Sequence, residues 1–140
     1  MTVQYSTAVR IARLDSLESV AGVSARLVIY DLSGAAPADT AASITATTLA
    51  TLVLPSDWMA GASAVGNVVT KAKSGVWSVA ASGLGTADFF RVWDSTLTTC
   101  HMQGTVTATG GGGDMTVNNA SITAGQTVTV DTFTLTAGNS

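Results

Sequence analysis

The stretch Thr98-Thr-Cys-His-Met-Gln-Gly-Thr-Val-Thr-Ala-Thr-Gly-Gly-Gly-Gly-Asp114 decides the fold. On a period of two, Cys100, Met102, Gly104, Val106 and Ala108 share one face, and His101, Gln103, Thr105 and Thr107 share the other. An apolar row backed by a polar row describes a half-buried antiparallel strand. The glycines that follow describe a hairpin loop that bends sharply or lies flat against a neighbour.

Similar segments lie on either side. Downstream, residues 115–118 form a short strand and residues 127–136 a long one. In the long strand the apolar phase is even at Val128 and Val130 and odd at Phe133 and Leu135, a slip that a β-bulge at Asp131-Thr132 produces. Upstream, residues 89–94 set Phe89, Arg91 and Trp93 against Phe90, Val92 and Asp94. Residues 24–32 are largely apolar in both phases, which predicts a strand covered on both faces. Residues 49–54 form a strand stopped by Pro55, residues 55–59 a tight turn carrying Trp58, and residues 61–67 a loop. Residues 68–73 and 76–81 predict a hairpin around Ser74-Gly75. Roughly eight short strands spaced about 8–12 residues apart predict an all-β chain. The expected architecture is an antiparallel β-sandwich, with a jelly roll as leading topology and a simpler Greek key as alternative.

One helix precedes the strands. Residues 6–22 offer Ser6 or Thr7 as N-cap and Gly22 as terminator. At 100° per residue, Leu14, Leu17, Val20 and Ala21 fall on one side and Asp15, Glu18 and Ser19 on another. Arg10 and Arg13 flank the apolar stripe, where their aliphatic stems can lie along a partner while their heads stay wet. A helix this short must pack on something, either its own sandwich or a neighbouring subunit. The expected division is a helical arm at residues 1–22 and a β-sandwich domain at residues 23–140. Arg10, Arg13, Leu14 and Leu17, with Gly111 and Gly112 in the glycine loop, are the candidate partner contacts.

Composition points the same way. The chain has 140 residues, enough for one domain with one core, and only 11% of them are charged, against about 25% in an ordinary soluble domain. Thr and Ser fill the polar positions instead. Such a surface is easily desolvated, because the costly step at an interface is stripping water from charge. The net charge is −3, and Lys71 and Lys73 are the only lysines, so direct nucleic-acid binding is not expected. One cysteine makes no intrachain disulfide. No run approaches about 20 apolar residues, so no membrane span is expected, and the N-terminus lacks the pattern of a signal peptide.

Candidate chemistry is sparse. On an extended strand Cys100 and His101 point to opposite faces, so they do not form a nucleophile–base pair, and one Cys with one His cannot build a zinc site. Cys100 reads as a buried structural thiol. The glycine run lacks the Gly-Lys-Ser/Thr of a phosphate loop, and the acidic residues are scattered. No catalytic, cofactor or metal residue is assigned and no enzyme activity is expected. Trp58, Trp77 and Trp93 could stack sugars as in a carbohydrate-binding sandwich, although plugging the core is the commoner use.

Several segments resemble a family of small phage and prophage virion proteins, the capsid cement or decoration proteins. They are Gln4-Tyr-Ser-Thr-Ala-Val-Arg-Ile-Ala-Arg-Leu-Asp15, Leu54-Pro-Ser-Asp-Trp-Met59, Phe90-Arg-Val-Trp93, Cys100-His-Met-Gln-Gly-Thr-Val106, Gly113-Asp114 and Ile122-Thr-Ala-Gly-Gln-Thr-Val128. The resemblance is thinner over residues 61–85. It implies a jelly-roll sandwich, a homodimer, and a place on the outside of a phage capsid where it clamps neighbouring major capsid subunits. It also implies synthesis in a bacterial cytoplasm, and it carries over no active site. A tail or head-fibre module of similar build is the alternative virion role.

Overall fold

The computed structural model describes residues 1–138. Helix α1 (Thr7–Ala21) begins where Ser6 Oγ accepts the Val9 N–H at 3.2 Å and ends where the Gly22 N–H returns to the Glu18 carbonyl at 2.9 Å. Both ends fall at the expected caps. The strands follow as β1 (Arg26–Leu32), β2 (Ala46–Val53), β3 (Ser63–Val65), β4 (Val68–Ala72), β5 (Ser78–Ala80), β6 (Gly85–Thr86), β7 (Phe89–Trp93), β8 (Cys100–Ala108), β9 (Met115–Val117), β10 (Ser121–Ile122) and β11 (Thr127–Ala137). The described residues are thus mostly β with one short helix. A large mixed sheet runs β2-β1-β7-β8-β9-β11-β4-β3, with β5 also on β11, and does not close; β6 and β10 pair separately.

Strand β1 is covered on both faces, as its doubly apolar pattern predicts. Leu27 and Ile29 enter the main core beside Leu52, Phe90 and Val92, while Val28 and Tyr30 join Phe89 in a second cluster against Ile44 and Trp93. Residues 33–45 supply the second cover, and Arg91 fastens it by donating to the carbonyls of Ala42 (2.7 Å) and Asp39 (3.4 Å). The main core contains a chain of aromatic rings: Trp58 to Trp77 at 6.1 Å, Trp77 to Phe133 at 5.9 Å, and Phe133 edge-on to Phe90 at 5.5 Å. Gly104 lies opposite Phe90, and a Cβ there would stand 2.7 Å from the ring, so only glycine leaves room for it.

Register breaks account for the departures from simple alternation. In β11, Val130 pairs with Val117 and Thr132 with Thr116, so Asp131 is the extra residue of the expected bulge. A second bulge was not foreseen. Val92 pairs with Met102 and Trp93 with Cys100, so His101 is skipped. Cys100 therefore leaves the Met102–Val106 face and lies in the wall containing Arg91 and Trp93, outside the main core. It is buried there, and burial raises its thiol pKa.

The expected hairpin at Ser74-Gly75 is also corrected. Strands β4 and β5 do not pair with each other; both pair with β11, at Thr134–Ala137 and at Thr127–Thr129 respectively. They form one interrupted strand, and the Lys73 N–H to Phe133 carbonyl and Val130 N–H to Trp77 carbonyl bonds continue the ladder. The excursion between them holds Trp77, whose Nε1 donates to the Ser74 carbonyl at 3.0 Å. The true tight hairpin is β3–β4, turning at Gly66-Asn67 within what reads as loop. The sheet is mixed because β8 and β9 run parallel, Val106 opposite Met115.

Helix α1 docks on its own sheet through charge. Lys71 projects from β4, 2% exposed, and its ammonium donates to Asp15 Oδ1 (2.8 Å), Glu18 Oε1 (2.8 Å) and the Ala60 carbonyl (2.9 Å). The same carboxylates accept the N–H groups of Ala62 (2.9 Å) and Met59 (3.1 Å). Asp15 and Glu18 thus bond to the sheet, Asp15 with 43% of its side chain still exposed and Glu18 with 20%, and Val20, expected on the packed side, is 63% exposed. Arg10 lies beneath the helix and donates to both the carbonyl and the Oδ1 of Asn67, and to the Ala137 carbonyl.

Burial alone would lower the Lys71 pKa, but its hydrogen bonds to Asp15 and Glu18 outweigh that and raise it. The hydrogen bond from Lys71, with that from the Ala62 N–H, lowers the Asp15 pKa. Asp15 releases its proton more readily folded than unfolded. Its contribution to stability is complete above the ordinary carboxylate value of about 4 and fades as pH falls towards the depressed folded value. Lys71 holds its proton more tightly folded. Its contribution is complete below about 10.4 and fades as pH rises through the raised folded value. Lys71→Met is expected to lower stability by about 1–2 kcal/mol at neutral pH, since it removes the shared donor of two partly solvated carboxylates. In that variant the loss of stability on acidification towards pH 4 should be smaller than in the unsubstituted chain, because the Lys71 hydrogen bond to Asp15 is gone, as read by chemical denaturation across pH.

Candidate functional site

The helical residues expected to meet a partner converge on one wall. Arg13, Leu14 and Leu17 line a cleft of about 260 Å³ whose other side is Thr136, Ala137 and Gly138. Thr136 also borders a second cleft, of about 380 Å³, that extends past Thr134 and Leu135 to Met102, Gln103 and Asp114. The two make a shallow groove along the end of β11, walled at one end by the helix and at the other by the residue that closes the glycine loop. Arg13 is exposed and stacks over Tyr5, its guanidinium carbon 5.1 Å from the ring centre. Arg10 does not belong to this surface. It is 2% exposed, and both of its terminal nitrogens are bonded inside the fold, so its expected role as a partner contact is corrected to that of a tie between helix and sheet.

Gly111 and Gly112 are exposed, in a loop that does not form a hairpin. It returns the chain for a parallel pairing within residues 109–114, where a crossover usually needs a dozen residues or more. Gly110 and Gly112 have φ of 91° and 84°, and a Cβ at Gly111 or Gly113 would stand 2.7 to 3.0 Å from atoms of Thr107. The loop is therefore pressed onto the outer face of its own strand. The Gly113 N–H donates to Thr107 Oγ1 at 3.0 Å, and Asp114 Oδ2 accepts both the N–H and the hydroxyl of Thr105 at 2.9 Å. Those threonines are the polar row of the opening stretch. Their use as a seat for the loop is not visible in the alternation, nor is the contribution of residues 134–138 to the groove.

The other singled-out residues take structural places. Trp58 and Trp77 are each 1% exposed in the main core and offer no ring to a sugar; Trp93 is half-buried beside Arg91. Among the described residues, no group of three or more His, Cys, Asp or Glu is placed to hold a metal ion. Nor is any helix among them long and apolar enough to cross a membrane. Apolar side chains remain at the surface on several elements: Val9 and Val20 on the helix, Val65 and Val68 at the β3–β4 hairpin, and Val53 on β2.

No family model, curated protein or solved structure matches this chain. Asp114→Ala is expected to release the glycine loop. Amide exchange at Gly111 and Gly113 should rise, with about 1–2 kcal/mol of stability lost through the hydrogen bonds of the exposed carboxylate. Unchanged exchange would show that the glycines hold the loop unaided.

Proposed function

We propose that the protein is a structural component of a phage virion, a cement or decoration protein that binds the outside of an assembled capsid and joins neighbouring major capsid subunits. The reading begins from the sequence resemblance. The observation that supports it most is the groove along β11, whose accessible wall carries Arg13, Leu14 and Leu17. Over the chain as a whole, Thr and exposed Val take the place of much of the charge of an ordinary surface. Such a surface can be dried at little cost, and many modest contacts repeated over a symmetric shell add up to strong retention. A protein that binds the assembled shell and not free subunits stabilises the shell by mass action.

With that role we read the large mixed sheet as a jelly-roll sandwich and the working form as a homodimer related by a two-fold axis, located on the capsid exterior. Its partners are then the major capsid protein and a second copy of itself, with no nucleic acid and no membrane. It acts without catalysis.

The test is cosedimentation with expanded shells of a major capsid protein from the same genome, paired with electron cryomicroscopy of the virion. Arg13→Glu and Thr136→Glu, both at exposed groove positions, should weaken shell binding about tenfold or more while leaving the melting temperature unchanged. Density at the tail or at head fibres, with no shell binding, would overturn the cement role in favour of another virion module.

A further inference from the structure

A second concave site lies on the far side of the sheet from the main core. It is a cleft of about 440 Å³ between residues 40–43 and the end of β7 and start of β8. Its floor is Arg91, 2% exposed. The guanidinium donates from Nε to Gln103 Oε1 (3.1 Å) and from Nη2 to the carbonyls of Ala42 and Asp39. Every one of these acceptors is neutral, and no carboxylate lies within ion-pair distance among the described residues. Asp39 Oδ1 is engaged with the N–H groups of Ala41 and Ala42, and Asp94 Oδ1 with the N–H of Thr98. Arg91 Nη1 bonds to no described residue, yet it is not sealed from solvent. Arg10 is also buried without a carboxylate, but both of its terminal nitrogens are bonded and it lines none of the clefts described.

A buried cation without a counter-ion is costly, and the free Nη1 of the guanidinium at the base of a cleft is placed to donate to an oxygen of an anion. The walls add the hydroxyl-bearing residues Thr40, Ser43, Thr98 and Thr99, with the Thr98 hydroxyl already bonded to Thr96, and Trp93, whose ring centre lies 5.6 Å from the Arg91 guanidinium carbon. Hydroxyls beside an aromatic ring suit a polyol with apolar C–H faces, and the volume falls within the range of small-ligand sites. We propose that this cleft binds the carboxylate of an acidic monosaccharide, a uronic acid or a sugar acid of similar size. The carboxylate would lie on Arg91 and the ring hydroxyls against the threonine and serine wall. The inference does not depend on the virion reading.

The test is titration of the ¹⁵N-labelled full chain, in low-salt buffer, with glucuronate, glucose and acetate in separate arms. Saturable shifts of the Trp93 indole N–H and the Thr99 amide with glucuronate, at a dissociation constant of roughly millimolar order, support the proposal. Glucose should bind at least about tenfold more weakly, because it lacks the carboxylate that meets Arg91, and acetate likewise because it lacks the hydroxyl contacts. Arg91→Gln should abolish the shifts. Because Arg91 also fastens residues 39–42, Thr99→Glu, at an exposed wall position, provides the variant that keeps the fold. It should abolish binding with an unchanged melting temperature. Absence of saturable shifts with glucuronate, or equal binding of glucose, would overturn the site. Acetate binding as tightly as glucuronate would overturn its assignment to a sugar acid.

Discussion

The ammonium of Lys71 has three N–H donors and three acceptors, two carboxylates from α1 and one carbonyl from the segment leading to β3. Few arrangements are as demanding. A charge this deeply buried is tolerated only when fully paired, so helix, sheet and the residues 58–62 segment must all be in place for any one of them to be. The carboxylates extend the constraint, since each also takes a backbone N–H from that segment, next to Trp58 and its ring contact with Trp77. The helix is thus fixed to the sheet by direction-specific bonds. Apolar burial under Leu14 and Leu17 is only partial, which leaves those side chains on the groove.

Much of the strand content was legible in the sequence because side-chain period and turn residues are local properties. The double apolar phase of β1 anticipated its two covers, and the phase slip in β11 anticipated the bulge at Asp131. Pairing is not local. Nothing in residues 68–81 distinguishes two strands facing each other from two lying end to end on a third, and Ser74-Gly75 suits either. The bulge at His101 left no trace either, because Cys100 is small enough for either face. The parallel β8–β9 pair was hidden by a connection shorter than such crossovers normally use.

The groove was legible in part. Arg13, Leu14 and Leu17 followed from helical spacing, but the role of Arg10 depended on where Asn67 and Ala137 lie, which spacing cannot report. Asp15 and Glu18 read as a wet face because carboxylates usually are one. Their buried partner is 56 and 53 positions away in the chain, beyond the reach of any local pattern. The Arg91 cleft was missed for a related reason. Alternation puts Arg91 on one face with Phe89 and Trp93, but it does not show the 33–45 segment that folds over that face.

Strand β11 pairs with β5, β9 and β4, and the carbonyl of Ala137 accepts the guanidinium of Arg10, a separation of 127 residues. During synthesis the capped helix emerges ahead of the strands, but its docking site is incomplete until residue 137 has left the ribosome. Such distant closure slows folding, and until it occurs the edges of β4, β5 and β9 that face β11 stay open to water. The helix therefore waits, undocked, for a strand made more than a hundred residues after it.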